Sequence, residues 1–304
     1  MRIDSRLLDL LMDMAEYRVL SASQVTHLRF SRLRSARRRM QQLCGRRFVK
    51  LLPGQSGGGR PENVYGLAKG GYELLVSQGR ISGDGSYDKF GGESLLNQLS
   101  HHLLLNWTRV HLVEACRQNS RLESFLLASK SPLVGRSADG SSLVADKVTL
   151  VTGEEPVGLA PDAVFIMKHK RSTEATLFFL EIDMGTEPGR RTDRGVSSIE
   201  DKVKRYKAYF RSGQYKTKYE AQWHVPLRGF RTLFMTSTPQ GARSISDLLR
   251  QMKPSGFCWV TSREQMVAQG ISGNIWQVGG QPDSSADSIF DAYAFSCPLP
   301  SIPE

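Results

Sequence analysis

The run Leu177-Phe178-Phe179-Leu180-Glu181-Ile182-Asp183 leaves this chain few folds to choose from. Its apolar residues end in two acids. A second apolar segment, 164–166, precedes it across a charged turn that holds Lys168, Lys170 and Arg171. Segments of this kind pair as antiparallel strands. Side chains alternate along a strand, so Glu181 and Asp183 share one face. The pairing draws Asp162, at the start of the first strand, towards both. Three carboxylates converging on a sheet repel one another, and a hard divalent cation, Mg²⁺ or Mn²⁺, relieves that repulsion.

The surrounding pattern frames this acidic centre. Residues 184–196 carry Gly185, Gly189, Gly195, Arg190, Arg191 and Arg194, either a basic loop placed to hold a DNA backbone or a solvated loop with no ligand. Ser197 and Glu200 read as a capping box that opens a helix. Its core stripe is Ile199, Val203, Tyr206 and Phe210, with Lys202 on the flank and Lys204 towards solvent. Apolar strands at 231–236 and 257–261 alternate with helices at 244–252 and 263–268, which implies a right-handed parallel crossover. A long helix over 94–117 comes before all of this. It aligns His102, Asn106, Val110 and Glu114 on an apolar stripe. Buried polar groups need partners. Either His102, Asn106 or Glu114 points into an active site, or the histidine is a satisfied core residue and the glutamate lies on the surface.

The front of the chain has a different character. Helices are expected over 4–16, from Ser21 (a second capping box, Ser21 with Gln24) to about Leu28, and from Ser31 to just before Gly45. Strands at 48–52 and 64–67 follow, joined by the Gly-rich loop 53–61, and a helix at 70–77 closes the domain. Three helices and then a hairpin is the order of a winged helix-turn-helix. The third helix packs Arg32, Arg34, Arg37, Arg38 and Arg39 around a stripe of Leu33, Ala36, Met40 and Leu43. With Arg60 in the wing, these arginines are the expected DNA contacts. A protein-binding use of the same module is the alternative.

Charge supports the nucleic-acid reading. The formal net charge is +11, and residues 1–90 hold 16 Lys and Arg against 8 Asp and Glu. No Lys or Arg follows Arg263. A basic front and an acidic tail suit a polyanionic partner held by the first domain. The domains expected are therefore 1–78, a winged helix-turn-helix; 79–92, a Gly/Ser/Asp-rich linker; 93–278, an α/β domain with a mixed sheet; and 279–304, a flexible acidic Pro/Ser tail. No apolar run nears the length that spans a bilayer, and the start shows no signal-peptide pattern. The four cysteines show no metal-ligand spacing, so free thiols in a reducing cytoplasm are expected. No phosphate-binding Gly-Lys-Ser/Thr loop is present, which leaves ATP use unsupported.

The stretches His102-x3-Asn106, Pro161-Asp162-Ala163, Phe178 to Glu187 and Lys202-x3-Tyr206 resemble the plasmid replication-relaxation proteins and the related MOBC-class relaxases. Those are nickases built on the PD-(D/E)XK restriction-endonuclease fold. The resemblance covers roughly residues 10 to 275 in layout, through short motifs. It implies Mg²⁺ or Mn²⁺ held by Asp162, Glu181 and Asp183, with Lys202 standing in for the lysine that the wider superfamily places two residues after the Glu. Here Asp183 occupies that position. It implies metal-dependent nicking of a specific DNA site to start mobilisation or replication, with DNA as partner and, by family alone, a type IV secretion coupling protein or other transfer proteins. A homodimer stays open. Two rivals remain. One is a non-catalytic DNA-binding replication or transfer regulator on the same fold; the other is a phosphodiesterase acting on RNA or in phage defence.

Overall fold

The computed structural model describes residues 4–53, 62–83, 85–91, 93–129, 131–136, 140–150, 155–185, 198–281 and 286–290. The chain divides into two compact units, Met1–Val110 with Lys130–Gly135, and His111–Ser129 with Arg136–Glu304.

The first unit opens with α1 (Ser5–Tyr17), where Asp4 Oδ1 accepts the Leu7 N–H at 2.8 Å and satisfies one orphan donor of the first turn. Leu7, Leu11 and Met14 are buried along one face, as their spacing predicts. A three-residue strand, β1 (Val19–Ser21), was too short to carry a pattern. The capping box at Ser21 and Gln24 then opens α2 (Ala22–Arg29). Next, α3 (Leu33–Gly45) buries Ala36, Met40 and Leu43. Strands β2 (Val49–Leu52) and β3 (Val64–Leu67) form the expected antiparallel hairpin, and β1 pairs with the other side of β3. Then come α4 (Lys69–Ser77), the short α5 (Asp88–Gly91), a 3₁₀ helix (Glu93–Gln98) and α6 (Leu99–Gln118).

Within the stretch expected as a linker, residues 87–91 pack against the first unit. The Tyr87 hydroxyl donates to Leu67 O at 2.9 Å, and Lys50 Nζ donates to Gly91 O at 2.5 Å. Phe90 is buried, its ring 5.3 Å from that of Tyr72. A Cβ on Gly91 would lie 2.7 Å from Leu67 O, so this glycine marks close packing, not flexibility. The boundary between the units falls instead inside α6, after Val110.

The second unit adds β4 (Leu122–Ala128), β5 (Asp146–Val148), β6 (Val157–Leu159), β7 (Ala163–His169), β8 (Ala175–Asp183), α7 (Ile199–Ser212), α8 (Gln214–Trp223), β9 (Leu227–Thr236), α9 (Pro239–Gln251), β10 (Cys258–Ser262), α10 (Arg263–Gln269) and β11 (Gln277–Val278). Six strands form one mixed sheet in the order β11-β10-β9-β8-β7-β4. The pairs β4/β7, β7/β8 and β10/β11 are antiparallel, and β8/β9 and β9/β10 are parallel. The antiparallel β7/β8 pair and the crossover through α9 follow the pattern of the sequence. Strands β5 and β6 make a separate pair.

All nine residues of β8 are buried. Alternation sends Phe178 to one face, stacked 4.9 Å from its cross-strand partner Phe165. It sends Phe179 to the other, within 6.0 Å of the Tyr206, Tyr209, Tyr219 and Phe230 rings. Burial of a large apolar side chain contributes roughly 1.5–3 kcal/mol. A cluster of five such rings therefore outweighs any single polar contact in fixing α7 and α8 on the sheet.

Three details depart from the sequence pattern. The α7 capping box lies one residue later than expected, on Ser198 and Asp201, and the buried stripe runs through Tyr209, with Phe210 half-buried. Helix α8 buries only Tyr215 and Tyr219 and gives little apolar period to read. The expected flexible tail is packed over part of its length. Asp287 and Trp276 exchange both backbone hydrogen bonds, at 2.8 and 3.1 Å, and Ile289 is fully buried. Residues 291–304 lie outside the described residues. Among the described residues no helix is long and apolar enough to cross a membrane.

Candidate functional site

The β7/β8 pairing sets Ala163 opposite Leu180, so Asp162 lies where β8 turns acidic. Its N–H donates to Leu180 O at 3.0 Å, and its Oδ2 accepts the Ile182 N–H at 2.8 Å. The Asp162 carboxylate is thus pinned to the backbone between Glu181 and Asp183. It stands close enough to Glu181 for its charge to raise the Glu181 pKa.

Glu181 is only 3% exposed. Helix α7 meets it with two side chains one turn apart. Lys202 Nζ donates to Oε2 at 2.9 Å, and the Tyr206 hydroxyl donates to Oε1 at 2.5 Å. Burial pushes the Glu181 carboxyl up to about 7; the Lys202 charge is the largest opposing effect, Asp162 pushes further upward, and the two hydrogen bonds pull down. Burial, reinforced by the Glu181 charge, holds the Tyr206 phenol well above its ordinary range, so it stays a donor.

Asp183 shares the Glu181 face and is buried, but its Oδ1 accepts the Gly185 N–H at 2.9 Å, at a glycine with φ of 79°. It caps the turn that leaves the strand. Arg190 and Arg191 lie outside the described residues. Glu114 is half-buried in the last turns of α6. Among the described residues, no three His, Cys, Asp or Glu side chains stand together as a metal-ligand set. What the strands bring together is an acidic pair, Asp162 and Glu181, with Lys202 against it. The donor chemistry fits a divalent ion. Mg²⁺ is commonly held by one or two carboxylates, with waters and substrate phosphates completing its shell. A carboxylate offers about four lone-pair positions, and the contacts of Glu181 take two of them.

The other polar residues of α6 have structural partners. Asn106, in the first unit, donates from Nδ2 to Tyr17 O at 3.0 Å and Val19 O at 2.6 Å. It closes the chain around Arg18, whose φ is 63°. His102 is buried in the same unit.

Of the expected DNA contacts, Arg34, Arg37 and Arg38 are exposed and line one shallow groove with Leu33 and Gln41. Arg32 is exposed just before α3. Arg39 turns to a different groove, with Asp4, Arg6, Asp9 and Arg29. Arg60 lies outside the described residues.

Sequence reasoning placed Tyr206 on the core stripe of α7 and in the Lys202-x3-Tyr206 stretch of the resemblance, but gave it no role at the site.

The replication-relaxation family model matches residues 11–223. The chain belongs to that family. The replication-relaxation match runs from α1 to the end of α8, and so includes Asp162, Glu181, Lys202 and Tyr206. Neither the curated proteins nor the solved structures contain a match to the chain.

Proposed function

We propose that this is a plasmid or mobile-element DNA-processing protein: its first unit a winged helix-turn-helix that binds a DNA site, its second a PD-(D/E)XK-like unit that nicks near it. The observation that carries this is the Lys202–Glu181 contact beside Asp162. An acid pair and a lysine are the chemical parts of that nuclease class, with the lysine supplied here from a helix. The order of a helix, three antiparallel strands, a helical crossover and a parallel strand supports the same reading. So does charge. Between Glu16 and Glu62 the chain has eleven Lys and Arg and no Asp or Glu, as many as the whole net charge of +11.

In this reading Asp162 and Glu181 hold Mg²⁺ or Mn²⁺. When bound, the ion supplies a polarised phosphate and an activated water. Lys202 brings positive charge to the developing phosphorane. The test is cleavage of supercoiled plasmid carrying the protein's own origin region, with Mg²⁺, Mn²⁺ or chelator. Metal-dependent nicking lost in both Asp162→Ala and Glu181→Ala supports the reading; tight binding without cleavage under any metal removes it.

A second reading, a non-catalytic DNA-binding replication or transfer regulator, is favoured by one feature. Asp183 stands two residues after Glu181 and caps a turn, while Lys202 already pairs with the Glu181 charge and Tyr206 donates to its other oxygen. Under that reading the second unit serves assembly.

A further inference from the structure

Tyr206 is the most deeply buried residue at the acidic pair. It is fully buried, its ring centroid 5.2 Å from that of Phe179 and 6.1 Å from that of Phe230. Both of those residues are themselves fully buried, on β8 and β9. A ring so enclosed keeps one orientation, and its hydroxyl then reaches one atom, Glu181 Oε1 at 2.5 Å. Lys202, the other donor to Glu181, is different. Its side chain is 18% exposed and has four rotatable bonds, so it follows the carboxylate and does not fix it.

We propose that Tyr206 is a positioning residue for metal capture: its hydroxyl holds Glu181 in the rotamer that turns its remaining lone pairs, with the Asp162 carboxylate, towards one divalent cation. This rests on the acidic-pair reading above. Groups that orient a metal ligand without touching the metal typically change affinity 10–100-fold when removed. The phenol suits the task because its position comes from the packing of its ring against Phe179 and Phe230. Without the hydroxyl, Glu181 Oε1 loses its donor in a buried place, and of the two side-chain donors to the carboxylate only Lys202 remains.

The experiment is titration of the full-length protein with Mn²⁺ by calorimetry, without DNA, for wild type, Tyr206→Phe and Tyr209→Phe. Tyr209 is a matched control: it lies on the same helix, packs on the same Phe179, and donates to Asp146 Oδ2 at 2.5 Å. Tyr206→Phe is expected to bind Mn²⁺ at least tenfold more weakly. Tyr209→Phe is expected to lose thermal stability and keep wild-type affinity. In a Glu181→Gln background, adding Tyr206→Phe is expected to change Mn²⁺ affinity no further. Wild-type affinity in Tyr206→Phe overturns the proposal. So does an equal loss in Tyr209→Phe, which would make the effect one of packing, or an additional loss in the Glu181→Gln background. Absence of Mn²⁺ binding by the wild type itself removes the acidic-pair reading first and the positioning role with it.

Discussion

Lys202 Nζ stands 2.9 Å from Glu181 Oε2, and this contact ties α7 to the acidic end of β8. Both groups are largely withdrawn from water, at 18% and 4% side-chain exposure. Removing one partner of such a pair leaves an uncompensated buried charge, at a cost of about 3–5 kcal/mol. Lys202→Met should therefore destabilise the protein. The loss should be larger at pH 8, where Glu181 is ionised, than at pH 5, where a proton can replace the missing ammonium. Melting temperatures at the two pH values measure this. An equal loss at both would mean that the lysine stem, not its charge, is what matters.

Glu181 also links stability to pH. Its carboxyl titrates at about 7 in the folded chain, against an ordinary 4.5. The native state then holds this proton to higher pH than the unfolded chain does, so stability falls as pH rises from about 4.5 to about 7 and levels off above. A shift of this size corresponds to on the order of 3 kcal/mol at most. Glu181→Gln cannot titrate and should lack this slope. Urea unfolding of wild type and variant at several pH values tests it. Parallel curves across the window would show that Lys202 and Tyr206 offset the burial completely.

The acidic pair was legible in the sequence because two strong local signals coincide there. Continuous apolar runs define β7 and β8, and the charged turn between them sets their register. Lys202 was legible from the 3.6-residue period of α7, even though the cap lies one residue later than read. The role of Tyr206 was not, because an aromatic on a buried stripe looks like core until its hydroxyl has a partner, here Glu181 on β8. The 79–92 stretch misled for the opposite reason. Glycine signals flexibility in composition and close approach in three dimensions, and only the Leu67 carbonyl beside Gly91 decides between them. Strand β1 and the packed segment near Ile289 owe their structure to distant partners, Val64–Gly66 and Trp276, which no local pattern announces.

Asn106 offers a check that separates structure from chemistry. Its two hydrogen bonds satisfy the carbonyls of Tyr17 and Val19, and Asn106 is 1% exposed. Asn106→Leu leaves both acceptors without that donor, and an unsatisfied buried group costs about 1–3 kcal/mol. The variant should lose a few kcal/mol in urea unfolding while Mn²⁺ affinity stays at the wild-type value. A changed Mn²⁺ affinity with unchanged stability would return Asn106 to the active-site role that its helical spacing first suggested.

The arginine groove on α3 gives the sharpest test of the first unit. Arg34, Arg37 and Arg38 lie at i, i+3 and i+4, one helical face, and line the groove with Leu33 and Gln41. Arg39 faces a groove that also holds Asp4 and Asp9. There Asp4 and Asp9 offset two of the three arginines, Arg6, Arg29 and Arg39, whereas no acid lines the α3 groove, so the two sets should behave differently. Replacing Arg34, Arg37 and Arg38 with Ala should weaken DNA binding and reduce the slope of log K against log salt by about 0.9 for each phosphate that is no longer neutralised. Arg39→Ala should leave that slope nearly unchanged. Binding measured across a range of salt separates the outcomes. A triple variant with wild-type affinity and slope would remove the winged-helix reading. A lower affinity with an unchanged slope would instead assign these arginines to base edges, since base contacts specify sequence without releasing counterions.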